Sequence, residues 1–368
     1  MTESRSQQVQ KSFLRYQHLF VFAAPVLFVV GVFFAAPTPP EAGTGAGYWL
    51  EYWWLFPFFL LGATIVNTVG ISGSALFVPF LIFLFPPLAG ETLTPATLVK
   101  VGLISESFGL SSSAVAFIQY GLVDRRLAAT LVVGGLPFVV GGALLSFVIP
   151  APLFHAALGL ALIAASLLML KADLSHEEPE GAGEGAGEDA EAAADGSGEP
   201  ELPDDAGKPG EAGVALEEGN VTRVDREGDT YYYTWSGYLE RFANYSVGGV
   251  FQGLAGFGIG ELGIISQLRT DVPVRVAIGT NHIVVAVTAV IASLVHVFGG
   301  QYVPGGHTLS LASTPWNMVV FTVPATVTGG QIAPYVSNAI DTELIQKGVG
   351  ALFAIIAVAL FLMATGAF

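Results

Sequence analysis

The chain contains no cysteine. That one absence excludes a disulfide framework, a thiolate metal centre and a cysteine nucleophile. Charge is also scarce: 12% of the 368 residues are Asp, Glu, Lys or Arg, about half the fraction of an ordinary soluble domain. No phosphate-binding P-loop occurs, and no segment reads as a soluble ATPase domain, so energy from nucleotide hydrolysis within this chain is not expected. No catalytic residue, metal site or cofactor is expected either, and nucleic acid is not an expected partner. What remains is apolar. Such residues make up 52% of the chain and arrive in about nine blocks, among them 19–36, 56–86, 101–117, 127–149 and 153–170, with four more after Tyr238. A helix rising 1.5 Å per residue needs about 20 residues to cross the hydrocarbon of a bilayer. Soluble helices would interrupt such blocks with charge every turn or so. The composition therefore predicts an all-α polytopic membrane protein with the lipid bilayer as its solvent. The first block follows Arg5, Lys11 and Arg15 but ends in Ala35-Ala36-Pro37, a poor cleavage context, and is expected to be a retained helix over 17–36 behind a cytoplasmic tail over 1–16.

The acidity is concentrated. Residues 172–230 hold 19 acidic against three basic residues, whereas the rest of the chain holds 11 of each and is neutral. The run GAGEGAGEDAEAAADGSGEPELPDDAG has almost no aromatic or β-branched residue before Val214, so it cannot bury enough surface to fold. A solvated, disordered cytoplasmic linker over 172–237 is the expectation, with a binding tail for a basic partner as the alternative.

On either side of that linker the sequence repeats a plan. Pro95–Gly121 can be laid on Pro273–Gly299 without a gap. Upstream, Val69-Gly70-Ile71-Ser72-Gly73-Ser74 lies opposite Ala255-Gly256-Phe257-Gly258-Ile259-Gly260. Downstream, Pro137 with Gly141-Gly142 answers Pro324 with Gly329-Gly330. Each half, over 48–171 and 238–368, reads as a glycine-interrupted apolar segment followed by three plain helices. The interrupted segments either cross once or turn back as hairpins. Short cytoplasmic loops are enriched in Lys and Arg. Hairpins place Arg125, Arg126, Lys171, Arg241, Arg269, Arg275 and Lys347 on the cytoplasmic side, and leave the outer loops 37–52, 87–94, 150–152 and 299–312 without a basic residue. A hairpin plus three helices is an odd number of crossings. The two halves are therefore expected to be inverted repeats, with one extra N-terminal helix and with the broken helices meeting near the midplane.

Glycine lets the backbone leave helical geometry and lets a ligand approach main-chain N–H groups. The helix that starts after each tip offers unpaired N–H groups and the positive end of its dipole, which favour an anion. Thr68, Gly70, Ser72, Gly73 and Ser74 in the first half, with Gly256, Gly258 and Gly260 in the second, are the expected substrate-binding residues. The competing explanation is that the glycines only permit close helix packing.

These motifs carry a resemblance. The glycine-rich tip near the start of each half, the Pro273–Asn281 run, the Asp124-Arg125-Arg126 turn and the paired Pro/Gly helices closing each half resemble the sulfite exporter TauE/SafE family of anion permeases. The resemblance covers residues 55–171 and 240–367. The first half departs from the pattern, with Ser72 and Ser74 where glycines are usual and Val99-Lys100-Val101-Gly102 in place of the Ala-x-Gly-Thr run. The resemblance implies a permease for sulfite, sulfonates or related sulfur-containing or organic anions.

Ionisable residues inside spans are costly and usually functional. Glu106 and Glu261 are the expected carriers of a coupling proton, with a structural hydrogen-bonding role as the alternative. Lys100 lies one turn into its helix, where snorkelling to the surface and substrate binding both account for it. Thr280, Asn281 and His282 offer a hydroxyl, an amide and an imidazole to an oxyanion, with a packing histidine as the plainer account of His282. His155, His296 and His307 lie near helix ends and are read as interfacial. Two rival functions follow from the same residues. Gly70-Ile71-Ser72-Gly73 matches the Gly-x-Ser-Gly motif of rhomboid-type intramembrane serine proteases, with His282 as the base. A non-transporting membrane sensor that signals through the linker is the other. The sequence favours a secondary transporter, not an enzyme, in the plasma (inner) membrane, and homo-oligomer formation is compatible with it.

Overall fold

The computed structural model describes residues 19, 23–36, 46–119, 123–171, 213–217, 220–224, 230–232, 235–299, 314–339 and 342–365. Thirteen helices lie among them: α1 (Ala23–Ala35), α2 (Ala46–Leu50), α3 (Leu55–Val69), α4 (Ser74–Phe83), α5 (Phe85–Ala89), α6 (Pro95–Gln119), α7 (Arg125–Leu145), α8 (Ala151–Lys171), α9 (Trp235–Ala255), α10 (Ile259–Leu268), α11 (Val274–Phe298), α12 (Trp316–Ala339) and α13 (Thr342–Ala364). Four spans, over Ala46–Val69, Arg125–Leu145, Val276–Phe298 and Lys347–Ala364, are long and apolar enough to cross a membrane.

The distribution of side chains is that of a protein dissolved in lipid. Phe34, Val133, Leu344 and Ile355 point outward with about two thirds or more of their surface exposed. Ser72, Ser74, Ser105, Gln252, Gln267, Thr280, Asn281 and Thr326 are buried, as are Glu106 and Glu261. Lipid tails are as apolar as leucine, so exposed apolar surface costs nothing there, and polar side chains are drawn inward to one another.

Both interrupted segments fold back on themselves. Along α3 and α4, Phe59 stacks on Phe77 at 4.4 Å, Phe58 meets Phe80 at 4.8 Å, and Trp54 stacks on Phe85 at 5.7 Å. Positions rising along α3 meet positions falling along α4, which only an antiparallel hairpin gives. The second hairpin behaves alike: Tyr245 receives a hydrogen bond from Gln267 Nε2 at 2.7 Å, Arg241 bonds Thr270, and Glu240 pairs with Arg269 at 2.8 Å. A single crossing would separate these pairs by the length of both arms.

Helices that correspond in the two halves pack against each other and run in opposite directions. On α6 and α11, Phe117 stacks on His282 at 4.8 Å while Lys100 lies near His296. On α8 and α13, Gly159 abuts Ala357 and Phe361 while Ser166 Oγ donates to Gly350 O at 2.7 Å. Pairs between non-equivalent helices come in matching twos. Helix α3 lies parallel to α12, with Asn317 bonded to Glu51 at 3.2 Å and Thr68 to the Ala333 carbonyl at 3.4 Å. Helix α9 lies parallel to α7, where Gly134 faces Phe242 and Gly142 faces Val250. Exchanging the halves maps each of these contacts onto another, the pattern expected of two oppositely oriented halves.

Polar pairs fix the α6–α12 seam. Ser105 Oγ donates to Thr322 Oγ1 at 2.7 Å, Thr326 Oγ1 to Ser105 O at 2.7 Å, and Gln331 Nε2 to Ser112 Oγ at 2.8 Å. Such interhelical bonds average about 0.6 kcal/mol each in a membrane.

The stretch read from sequence as a wholly disordered linker needs a correction at its end. Gly213–Glu217, Asn220–Val224 and Thr230–Tyr232 form a three-stranded antiparallel sheet in the order β1-β2-β3, with Val214 opposite Arg223 and Thr222 opposite Tyr232. Val214, Val221, Thr222, Val224, Thr230, Tyr231 and Tyr232 supply the β-branched and aromatic residues that strands favour and that the preceding acidic run lacks.

Candidate functional site

The two hairpin tips meet. Helix α3 stops because Gly70 adopts φ +76°, and its N–H bonds the Val66 carbonyl. Helix α9 stops at Gly256 with φ +87° and an N–H bond to Gln252 O at 2.9 Å. Left-handed backbone of this kind costs roughly 1–2 kcal/mol for a residue with a side chain. The short helices α4 and α10 restart four and three residues later, and their N-termini face one another. A Cβ on Gly256 would lie 2.9 Å from the Ser74 hydroxyl, and one on Gly260 would lie 2.8 Å from that of Ser72. Small residues are needed where the tips cross.

The sequence suggests that the N–H groups at these tips are open to a ligand. The structure corrects this, because two carboxylates hold them. Glu261 bridges the tips: its Oε2 accepts from Gly258 N at 2.7 Å and its Oε1 from Ser72 N, in the opposite half, at 3.1 Å. Glu106, on α6, accepts from Ser74 N at 3.3 Å and from the Ser74 hydroxyl through the same oxygen. Gln252 sits between them, accepting from Ser72 Oγ at 3.4 Å and donating to Glu106 Oε1 at 3.5 Å. Buried carboxylates are stable only with such donors around them.

Asn281 locks the tips from α11. Its Nδ2 donates to Gly70 O at 3.1 Å and to Gly260 O at 2.8 Å, one carbonyl from each hairpin. Tyr245 OH donates to Asn281 Oδ1 at 2.8 Å and so fixes which end of the amide faces the tips. Gln267 in turn donates to Tyr245.

Of the residues singled out from sequence, the structure brings together Gly70, Ser72, Gly73, Ser74, Gly256, Gly258, Gly260, Asn281, Glu106 and Glu261. The other four are placed elsewhere. Thr68 Oγ1 bonds the Thr64 carbonyl of its own helix at 2.7 Å. Thr280 Oγ1, toward the N-terminal end of α11, accepts from Asp124 N at 3.0 Å. His282 Nδ1 is 2.8 Å from the Ile278 carbonyl, and its ring stacks on Phe117. Lys100 is buried beside His296, which removes exposure at the surface as its explanation. His296 is also not interfacial: it is buried, with Nε2 2.8 Å from Gly253 O in the arm of the second hairpin. His155 is half-buried, and His307 lies outside the described residues. The geometry gives the protease reading no support, since Ser72 Oγ is turned to Gln252 and His282 to its own helix.

Gln252, Tyr245 and Gln267 were not anticipated. For Tyr245 and Gln252 a signal was present on α9, where Tyr238, Arg241, Tyr245 and Gln252 recur at helical spacings of three, four and seven along one face. An apolar cleft of about 320 Å³ lies on the flank of the first hairpin against Leu352 and Ile356 of α13, and none of the tip residues lines it.

Comparison with curated proteins and with solved structures gave no match. A family model does match, that of the sulfite exporter TauE/SafE family, over residues 54–360. This stretch contains both hairpins, the helices that pair the two halves as far as residue 360 of α13, and the linker between them. The chain belongs to the sulfite exporter TauE/SafE family of membrane transporters.

Proposed function

We propose that this chain is a secondary permease that moves a small oxyanion, such as sulfite, a sulfonate or a related sulfur-containing or organic anion, across the plasma membrane, together with a proton. The observation that carries this is the use made of the tip N–H groups. Ser72, Ser74 and Gly258 each donate to a glutamate oxygen where two helix N-termini face one another. A carboxylate is itself an oxyanion, so donors that suit Glu106 and Glu261 suit an oxyanion of similar size.

The same bonds give the reason for a proton. An anion brought to about 4 Å from an ionised glutamate meets a repulsion of about 4 kcal/mol at an effective dielectric constant of about 20. Protonation removes that repulsion. It also loosens the hold of the carboxyl group on its N–H donors, which are then available to the substrate. Proton and anion enter together, and each makes room for the other. Alternating access then rocks one half against the other around the crossed tips. The N-terminus and the linker lie on the cytoplasmic side, because that orientation gathers the basic residues inside.

Thermal unfolding of the purified protein with sulfite, sulfate, thiosulfate, sulfoacetate, taurine and simple carboxylates tests the assignment. One anion class is expected to raise the unfolding temperature, with a larger rise at acid pH than at alkaline pH. A panel in which no anion shifts the transition at either pH contradicts it.

A further inference from the structure

The last strand before the second hairpin ends in a contact with the first half. Tyr231, on β3, is buried, and its hydroxyl donates to Asp124 Oδ2 at 2.9 Å across 107 residues of sequence. Asp124 belongs to the turn between α6 and α7 in the first half. Tyr231 stands four residues before Trp235, where the first arm of the second hairpin begins. The bond therefore ties the turn before α7 to the segment leading into the second hairpin.

Asp124 is well placed to report that bond to the site. Its Oδ1 caps α7 by accepting from Leu127 N at 2.9 Å, and its own N–H donates to Thr280 Oγ1 at 3.0 Å. The residue after Thr280 is Asn281, which holds both tip carbonyls. One aspartate thus connects the end of the linker, the start of α7 and the helix that clamps the tips.

We infer that Tyr231 and Asp124 form a latch that closes the linker-side mouth of the permease, and that opening on that side requires the tyrosine to leave. The latch makes the folded end of the linker part of the gating machinery. This rests on the transport reading given above for its purpose, but its existence is measurable without flux. A hydrogen bond from a hydroxyl to a carboxylate shifts an open–closed equilibrium by about tenfold.

The test uses the full chain, which has no cysteine to interfere. A single reporter, Val284→Cys, is placed one turn beyond Thr280 on α11, and a control, Val319→Cys, in the first turn of α12, toward the opposite side. Both native side chains are buried. An impermeant maleimide is added from the linker side for the reporter and from the other side for the control. Tyr231→Phe removes one oxygen and keeps the ring. It is expected to speed labelling at position 284 by about tenfold and to leave position 319 unchanged. Equal labelling with and without the hydroxyl overturns the latch, and so does an equal rise at both positions, which is general loosening. Wild-type vesicles that moved no anion would remove the transport reading while leaving these labelling outcomes intact.

Discussion

Ser72 and Glu261 stand 189 residues apart in sequence, yet the backbone N–H of the serine donates to Oε1 of the glutamate at 3.1 Å. The second oxygen of the same carboxylate takes the Gly258 N–H at 2.7 Å. One side chain therefore spans both hairpin tips. Glu261→Gln leaves a single acceptor oxygen for the two donors and turns an amide N–H₂ toward one of them. A buried donor left without a partner costs about 1–3 kcal/mol. The substitution is expected to lower the thermal midpoint of the purified protein clearly, and an unchanged midpoint would mean that the bridge contributes nothing.

Glu106 concerns coupling more than stability. Protonation of the native glutamate frees Ser74 N–H and its hydroxyl, so wild-type anion flux is expected to rise as pH falls. Glutamine is neutral at every pH. Glu106→Gln should flatten part of that dependence, and Glu106→Gln with Glu261→Gln should flatten it fully. A pH profile of flux across reconstituted vesicles checks this, and a single variant that keeps the full profile excludes Glu106 as a carrier.

Asn281 donates to a carbonyl in each hairpin. In Asn281→Asp both donors are lost and a carboxylate faces two carbonyl oxygens. Flux is expected to fall at least tenfold, which corresponds to about 1.4 kcal/mol or more. Tyr245→Phe removes the bond that orients the amide and also the acceptor of Gln267 Nε2, and should cost about 1–3 kcal/mol of stability. The comparison of the two in one flux and melting series shows whether the clamp or its support matters more.

Two adjacent glycines on α7 give a sharper contrast. A Cβ on Gly142 would lie 2.1 Å from the Val250 carbonyl oxygen of α9, whereas a Cβ on Gly141 meets nothing within 4 Å. Backbones that approach so closely hold membrane helices together. Gly142→Ala is expected to abolish a monodisperse folded protein, and Gly141→Ala to leave yield and melting behaviour unchanged. Size-exclusion profiles in detergent decide between them.

Much of this architecture can be read from sequence, for definite reasons. Lys and Arg positions report on membrane side, and that alone favoured hairpins over single crossings. The structure supplies the packing of Phe59 on Phe77 and of Tyr245 on Gln267 that an antiparallel hairpin needs. Pro95 and Pro273 mark the starts of two 25-residue helices that pair antiparallel. The occupants of the tips were less legible. Glu106 is 32 residues from Ser74 and Glu261 is 189 from Ser72, and no periodicity states which polar group answers a distant N–H. His296 illustrates the same limit, since it lies at the end of its helix yet is covered by the arm carrying Gly253. The strands at the end of the linker were hidden for another reason. The composition of residues 172–212 overwhelmed the few β-branched positions after Val214.

The most direct test of the crossed tips as an anion site is radiolabelled sulfite and sulfonate flux into vesicles reconstituted with the wild-type chain or with Asn281→Asp. Saturable flux that rises with an inward proton gradient and is lost in Asn281→Asp is the predicted result. Flux indistinguishable from protein-free vesicles for every anion, or flux that survives Asn281→Asp undiminished, contradicts the account.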